Sequence, residues 1–190
     1  MPVKRLAILF SGQGTNLEVL LKTLHQKTFQ NTRLEVALTL TNKPNAGGIE
    51  KSRSYGIEPV VIDHTQFESR EAFDGAVVET IRKAQVDLVV LAGFMRILTP
   101  VFTRQVNAIN LHPSLLPLFK GANAIKESYE AKVTEAGVSV HVVSEELDAG
   151  EIILQEAFVK EANMPYDAFE AKIRAIEHQL LPKAVIKLLC

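Results

Sequence analysis

The sequence has one cysteine, and it is the final residue, Cys190. No internal disulfide can form, which fits a reducing compartment and makes the cytoplasm the expected location. A cysteine at the very end also lacks the residues that must follow it in a prenylation box. Long apolar runs are missing too. Leu6-Ala7-Ile8-Leu9-Phe10 stops at Ser11-Gly12, far short of the roughly 20 residues of a membrane helix and too brief for a signal-peptide core. No membrane partner is expected. Neither sign of charge prevails: 21 Lys and Arg stand against 22 Asp and Glu, a net charge of −1. With the charges dispersed, no nucleic-acid surface built on bulk charge is expected, although a local anion site stays open. Histidine and cysteine never cluster at metal-ligand spacing, so no metal is expected. A covalent nucleophile is not indicated, because the chain has no Gly-x-Ser-x-Gly elbow and no internal cysteine.

What is present is enough apolar content for a core, 47% of 190 residues, in a length that fits one domain. Leu6–Phe10, Leu34–Thr41, Val60–Ile62 and Asp87–Leu91 read as strands. Helices are expected at Thr15–Leu24, at Ile49–Tyr55 before the stop residue Gly56, and at Arg70–Ala84 with Phe73, Val77, Ile81 and Ala84 on one face. Strand and helix in alternation predict βαβ units around a parallel sheet. Later the pattern changes. Ala108–Leu111 is a short strand, Ala124–Ala131 a helix, and Val138–Val143 and Gly150–Phe158 a hairpin pair, so the later edge of the sheet should be antiparallel. Tyr166–Leu189 reads as a long helix kinked or interrupted at Pro182.

Between the first strand and helix, Ser11-Gly12-Gln13-Gly14-Thr15-Asn16-Leu17 places two glycines where helix amides are free, the ingredients of a phosphate site. Thr15 or Asn16 would cap the helix. Leu17 stands where a dinucleotide fingerprint needs its third glycine, and no P-loop Gly-Lys-Ser/Thr follows. A tight turn with a capped helix is the plainer alternative. In Asn110-Leu111-His112-Pro113-Ser114-Leu115-Leu116-Pro117 the carboxamide and the imidazole lie two residues apart on a strand, hence on one face. One could stabilise an oxyanion and the other move a proton, as acyl transfer requires. On spacing alone a structural histidine fits as well. Asp148, in the acidic turn Ser144–Gly150, could orient His112 and favour its charged form, or simply solvate the turn. His141 reads as a core or hydrogen-bonded residue. Leu91–Leu98 suits the wall of a flat heterocycle site, or plain core.

Taken together these segments resemble the phosphoribosylglycinamide formyltransferase family, folate-dependent enzymes of purine synthesis. The resemblance is carried by residues 11–17, Thr41-Asn42-Lys43-Pro44, 91–98, 110–117, 137–143, 146–153 and Glu177-His178. It implies an α/β, Rossmann-like formyltransferase fold: a mostly parallel sheet with antiparallel later strands and helices on both faces. It also implies a single domain, 1–190, in which about 1–100 binds phosphate and about 101–190 carries catalysis and folate binding. The co-substrate would be 10-formyltetrahydrofolate and the acceptor 5-phosphoribosylglycinamide, whose amine attacks the formyl carbon directly. Asn110, His112 and Asp148 would be catalytic. Gly14, Thr15 and Asn16 would hold the substrate's phosphate, with Arg174, Ala175, Ile176 and Glu177 at its other end. Arg70, Met95, Arg96, Ile97, Leu98, Asn110 and the turn Ser144, Glu145, Glu146, Leu147 and Asp148 would contact folate. A monomer or homodimer is expected. Many relatives carry a histidine shortly after the glycine matching Gly121, where this chain has Ala122-Asn123-Ala124, and polar residues where it has Arg174-Ala175-Ile176. The tRNA-directed formyltransferases add a C-terminal domain, and a non-enzymatic mononucleotide-binding domain would leave Asn110, His112 and Asp148 unexplained.

Overall fold

A strand covered on both faces has no polar side to show, and β1 (Val3–Phe10) buries Leu6 through Phe10 without interruption. The computed structural model describes residues 1–190 and places β1 in the interior of an eight-stranded sheet, with a paired strand on each side. The helix α1 (Thr15–Leu24) carries the chain back across one face, burying Leu17, Leu20, Leu21 and Leu24. A two-residue strand, β2 (Thr28–Phe29), then precedes β3 (Thr32–Thr41), which pairs parallel with β1. The helix α2 (Gly48–Ser54) and the short β4 (Val60–Val61) follow, and then α3 (Arg70–Ala84) and β5 (Leu88–Leu91) on the other side of β1. The sequence thus located the elements of the first half to within a few residues, except β2 and a single 3-10 turn at His64–Gln66.

Side chains leave β1 and β5 alternately for two cores. Leu6, Ile8, Phe10, Leu88 and Val90 join a cluster of 25 buried residues under α1 and the C-terminal helix. Ala7, Leu9, Val89 and Leu91 join a cluster of 13 under α3 and α4 (Pro100–Thr103). In β3 the parity changes midway. Leu34 and Val36 face the first cluster, yet Leu38 and Leu40 face the second. The register shift opposite Leu6 and Ala7 inserts Ala37 as an extra residue, and one extra residue reverses the face of everything after it.

The later strands turn antiparallel, as the resemblance implies. β6 (Ala108–His112) pairs parallel with β5, whereas β7 (Glu135–Val142) runs antiparallel to β6, and β8 (Ile152–Val159) antiparallel to β7. A short helix, α5 (Ala124–Glu130), lies between β6 and β7. The last helix, α6 (Tyr166–Leu189), is continuous through Pro182, so of the expected kink or interruption the interruption does not occur. Pro182 is itself buried beside Leu180, Leu181, Ala184 and Val185, so apolar packing outweighs the one hydrogen bond that proline forfeits. No helix is long and apolar enough to cross a membrane.

Candidate functional site

β6 (Ala108–His112) carries its polar residues towards its C-terminal end. Asn110 and His112 share the face of Ala108, and the antiparallel register sets His141 opposite Asn110 and Ser139 opposite His112. Asn110 Nδ2 lies 3.3 Å from His141 Nε2. His141 Nδ1 is 2.9 Å from the Val142 carbonyl oxygen and so carries a proton. The ring's other nitrogen, Nε2, lies between the Asn110 amide and Asp148 Oδ1: without a proton it accepts from Asn110, and with one it donates to the carboxylate. His112 is 4% exposed, and its Nε2–H donates to the Phe119 carbonyl at 2.8 Å. Phe119 makes this contact from a left-handed backbone, φ 55°, unusual for so bulky a residue.

Asp148 completes the group from the turn after β7. Its own backbone is left-handed, φ 50°, a conformation aspartate tolerates better than most residues. The carboxylate sits between the two imidazoles, Oδ2 3.5 Å from His112 Nδ1 and Oδ1 3.5 Å from His141 Nε2, and accepts the Gly121 amide at 2.9 Å. Burial opposes its charge. The His141 hydrogen bond, the Gly121 amide and the nearby histidines outweigh burial and hold the carboxyl below the usual carboxylate range. The sign for stability follows. A depressed carboxyl favours the folded state while ionised, above its unfolded value of about 3.9, and loses that contribution as pH falls through the lower folded value. Asp148→Asn should therefore unfold at lower urea than wild type at pH 7, with the difference shrinking below about pH 4. A difference that stays constant down to pH 2.5 would show that the carboxylate's charge contributes nothing.

These side chains wall a cavity of about 360 Å³ that also takes in Met95, Arg96, Ile97, Leu98 and the turn Ser144–Leu147. Met95, Ile97 and Leu147 stand at it 66%, 59% and 50% exposed, apolar surface of the kind that a flat ligand covers. The cavity thus draws on both halves of the chain. Arg104 and Lys120 hold the acidic turn by ion pairs to Glu145 and Glu146. Arg70 is not among the lining residues: it starts α3 at the surface, beside the Ser69 cap.

The remaining expected residues form a second group. Gly14 precedes α1 with φ 71°, and no side chain caps the helix, so neither Thr15 nor Asn16 takes the expected capping role. Asn16 instead donates from Nδ2 to Glu177 Oε2 at 3.3 Å, tying the glycine loop to α6, while its Oδ1 is buried without a partner. Glu177 is 2% exposed and accepts two bonds from Arg174 Nη1, at 3.2 and 3.0 Å. Ala175 and Ile176 lie beside it on α6 without lining the cavity. None of the amides from Gly12 to Leu17 finds an acceptor in the protein, which leaves them, as at any uncapped helix N-terminus, open to an anion. Ser11 joins the two groups: its hydroxyl donates to Asn42 Oδ1 and accepts the Met95 amide at 2.8 Å. Sequence reasoning missed His141 as part of the site. The signal was available, since Ser139 and His141 form the polar side of an alternating strand, but its facing Asn110 depends on register.

Residues 4–185 match the formyl transferase family. The chain is 53% identical to the crystal structure of phosphoribosylglycinamide formyltransferase from Campylobacter jejuni, with a TM-score of 0.97 over 99% of this chain and 98% of that one. It is 33% identical to phosphoribosylglycinamide formyltransferase of Bacillus subtilis, over 98% of this chain and 95% of the relative. It is also 38% identical over 95% of its length to the trifunctional purine biosynthetic protein adenosine-3 of Bos taurus, of which it spans 18%.

Proposed function

Since the chain belongs to the formyl transferase family and is an enzyme of that class, we propose that it transfers the formyl group of 10-formyltetrahydrofolate to the amine of 5-phosphoribosylglycinamide in purine biosynthesis. The observation that carries this reading is the meeting of Asn110, His112 and Asp148 at the wall of a cavity of about 360 Å³. Its exposed apolar rim suits a flat co-substrate, and the unpaired amides of residues 12–17, outside the cavity's lining, suit a phosphate.

In this reading the substrate amine attacks the formyl carbon and the carbonyl oxygen becomes an oxyanion. Asn110 has a second Nδ2 hydrogen beyond the one directed at His141 and donates it to that oxygen. His112 already bears a proton on Nε2; the oxyanion takes the place of the Phe119 carbonyl as its acceptor. Asp148 faces the other ring nitrogen and stabilises the imidazolium. The attacking nitrogen then gives up a proton, the bond from carbon to N10 breaks, and N10 takes a proton as tetrahydrofolate leaves. Glu177 and Arg174 border the acceptor's end of the site, with Asn16 linking them to the phosphate loop.

The direct test supplies 10-formyltetrahydrofolate with either 5-phosphoribosylglycinamide or water as acceptor. Tetrahydrofolate should appear together with formylated ribonucleotide, and omitting the amine should remove most of the turnover. Release at the same rate without the amine would identify a hydrolase and overturn the reading.

A further inference from the structure

We propose that Asp74, on α3 and outside the cavity, is a positioning residue that holds the 94–99 segment through Thr99 and so sets the shape of the formyl-donor wall. The inference rests on the reading of the cavity as the site of the formyl donor. Asp74 is 1% exposed, a rare place for a carboxylate on a helix that otherwise buries Phe73, Val77, Val78 and Ile81. Its Oδ2 accepts two bonds from one residue, the Thr99 amide at 2.6 Å and the Thr99 hydroxyl at 2.7 Å. Its Oδ1 is buried with no partner.

The segment it holds has no regular structure, so its amides cannot pair within a helix or strand. Two anchors fix it instead: Ser11 Oγ at the Met95 amide and Asp74 at the Thr99 amide. Between them lie Arg96, Ile97 and Leu98, which line the cavity. Arg96 is tied to the same place. Its guanidinium carbon lies 5.5 Å from the ring centroid of Phe73, the neighbour of Asp74, and its Nε is buried without a partner. Burial raises the Asp74 carboxyl above its usual range although both Thr99 bonds and Arg96 favour its charge. A buried carboxylate rarely improves stability over an apolar residue of its size. What it does supply is an acceptor that an apolar residue lacks, aimed at the end of a cavity-lining loop.

The test compares Asp74→Leu, which removes the acceptor but keeps the branched skeleton, with Asp74→Asn, which keeps an oxygen for both Thr99 donors. Asp74→Leu should raise KM for 10-formyltetrahydrofolate about tenfold or more and leave KM for 5-phosphoribosylglycinamide within about twofold. The calorimetric Kd for tetrahydrofolate should weaken in parallel, and Asp74→Asn should recover most of both. Thr99→Val, which deletes only the hydroxyl, should move the same KM about threefold. A purely structural role would lower Tm without separating the two KM values. The proposal fails if Asp74→Leu folds with an unchanged folate KM, if both KM values rise together, or if Asn is no better than Leu. Should Asp74→Leu not fold, a Thr99→Val enzyme with wild-type folate KM is equally fatal to it. A wild type that shows no formyl transfer would instead sink the proposed function, whatever the variants do.

Discussion

Replacing His112 with alanine should lower kcat for formyl transfer by about 100-fold or more and leave both KM values near wild type, because a group that donates a proton to a developing charge acts on the transition state. The imidazole is buried, donates from Nε2 to the Phe119 carbonyl, and presents Nδ1 to Asp148 at 3.5 Å. Its removal leaves the Asp148 carboxylate without one of its two histidines but with the Gly121 amide and His141 in place. The fold should persist, since His112 is the last residue of β6 and belongs to neither hydrophobic cluster. Circular dichroism checks that point, and steady-state kinetics with each substrate varied decides the rest. More than about a tenth of wild-type turnover would remove His112 from the chemistry. A rise in KM alone would make it a binding residue.

A large effect on stability is expected at the glycine loop, and it separates two roles that look alike in sequence. A Cβ on Gly14 would lie 2.6 Å from the Gly48 Cα, and the residue holds φ +71°. Gly14→Val should therefore cost about 2–5 kcal/mol, the sum of a left-handed backbone for a branched residue and a clash with the backbone of α2. The loss would show in Tm before any substrate is added. Gly12 is different: nothing lies within 4 Å of its Cβ position. Gly12→Val should fold normally. If the loop cradles a phosphate, this variant should raise KM for 5-phosphoribosylglycinamide by about tenfold and move the folate KM little. An unchanged ribonucleotide KM in Gly12→Val would place the phosphate elsewhere.

How far the site was legible in the sequence depends on the distance over which each contact acts. Asn110 and His112 were paired correctly because strand periodicity is local. Residues 95–98 and 144–148 meet at one cavity, but Arg70, grouped with them by resemblance, begins α3 at the surface. The capping role expected of Thr15 or Asn16 fell to no side chain, because Gly14 takes the left-handed turn and Asn16 is drawn to α6. His141 could be placed on the polar side of its strand but not opposite Asn110, since a one-residue slip would turn it to the other face.

By itself the chain's order of apolar runs and glycine turns determined a parallel sheet with an antiparallel later edge, a helix start with free amides, and two polar residues on one strand face. These follow from steric and hydrogen-bonding rules that act within a few residues. Only the tertiary structure decided which distant groups meet. Asn16 finds Glu177 across 161 positions, Asp148 comes to lie between two histidines, and Asp74 reaches Thr99 across 25 positions. It also decided that Gly14 is required by Gly48 and that Pro182 is tolerated inside a helix. Such contacts depend on strand register, on the extra residue at Ala37, and on how two cores fill from opposite faces of one sheet. Those are properties of the packed whole, and no short stretch of sequence contains them.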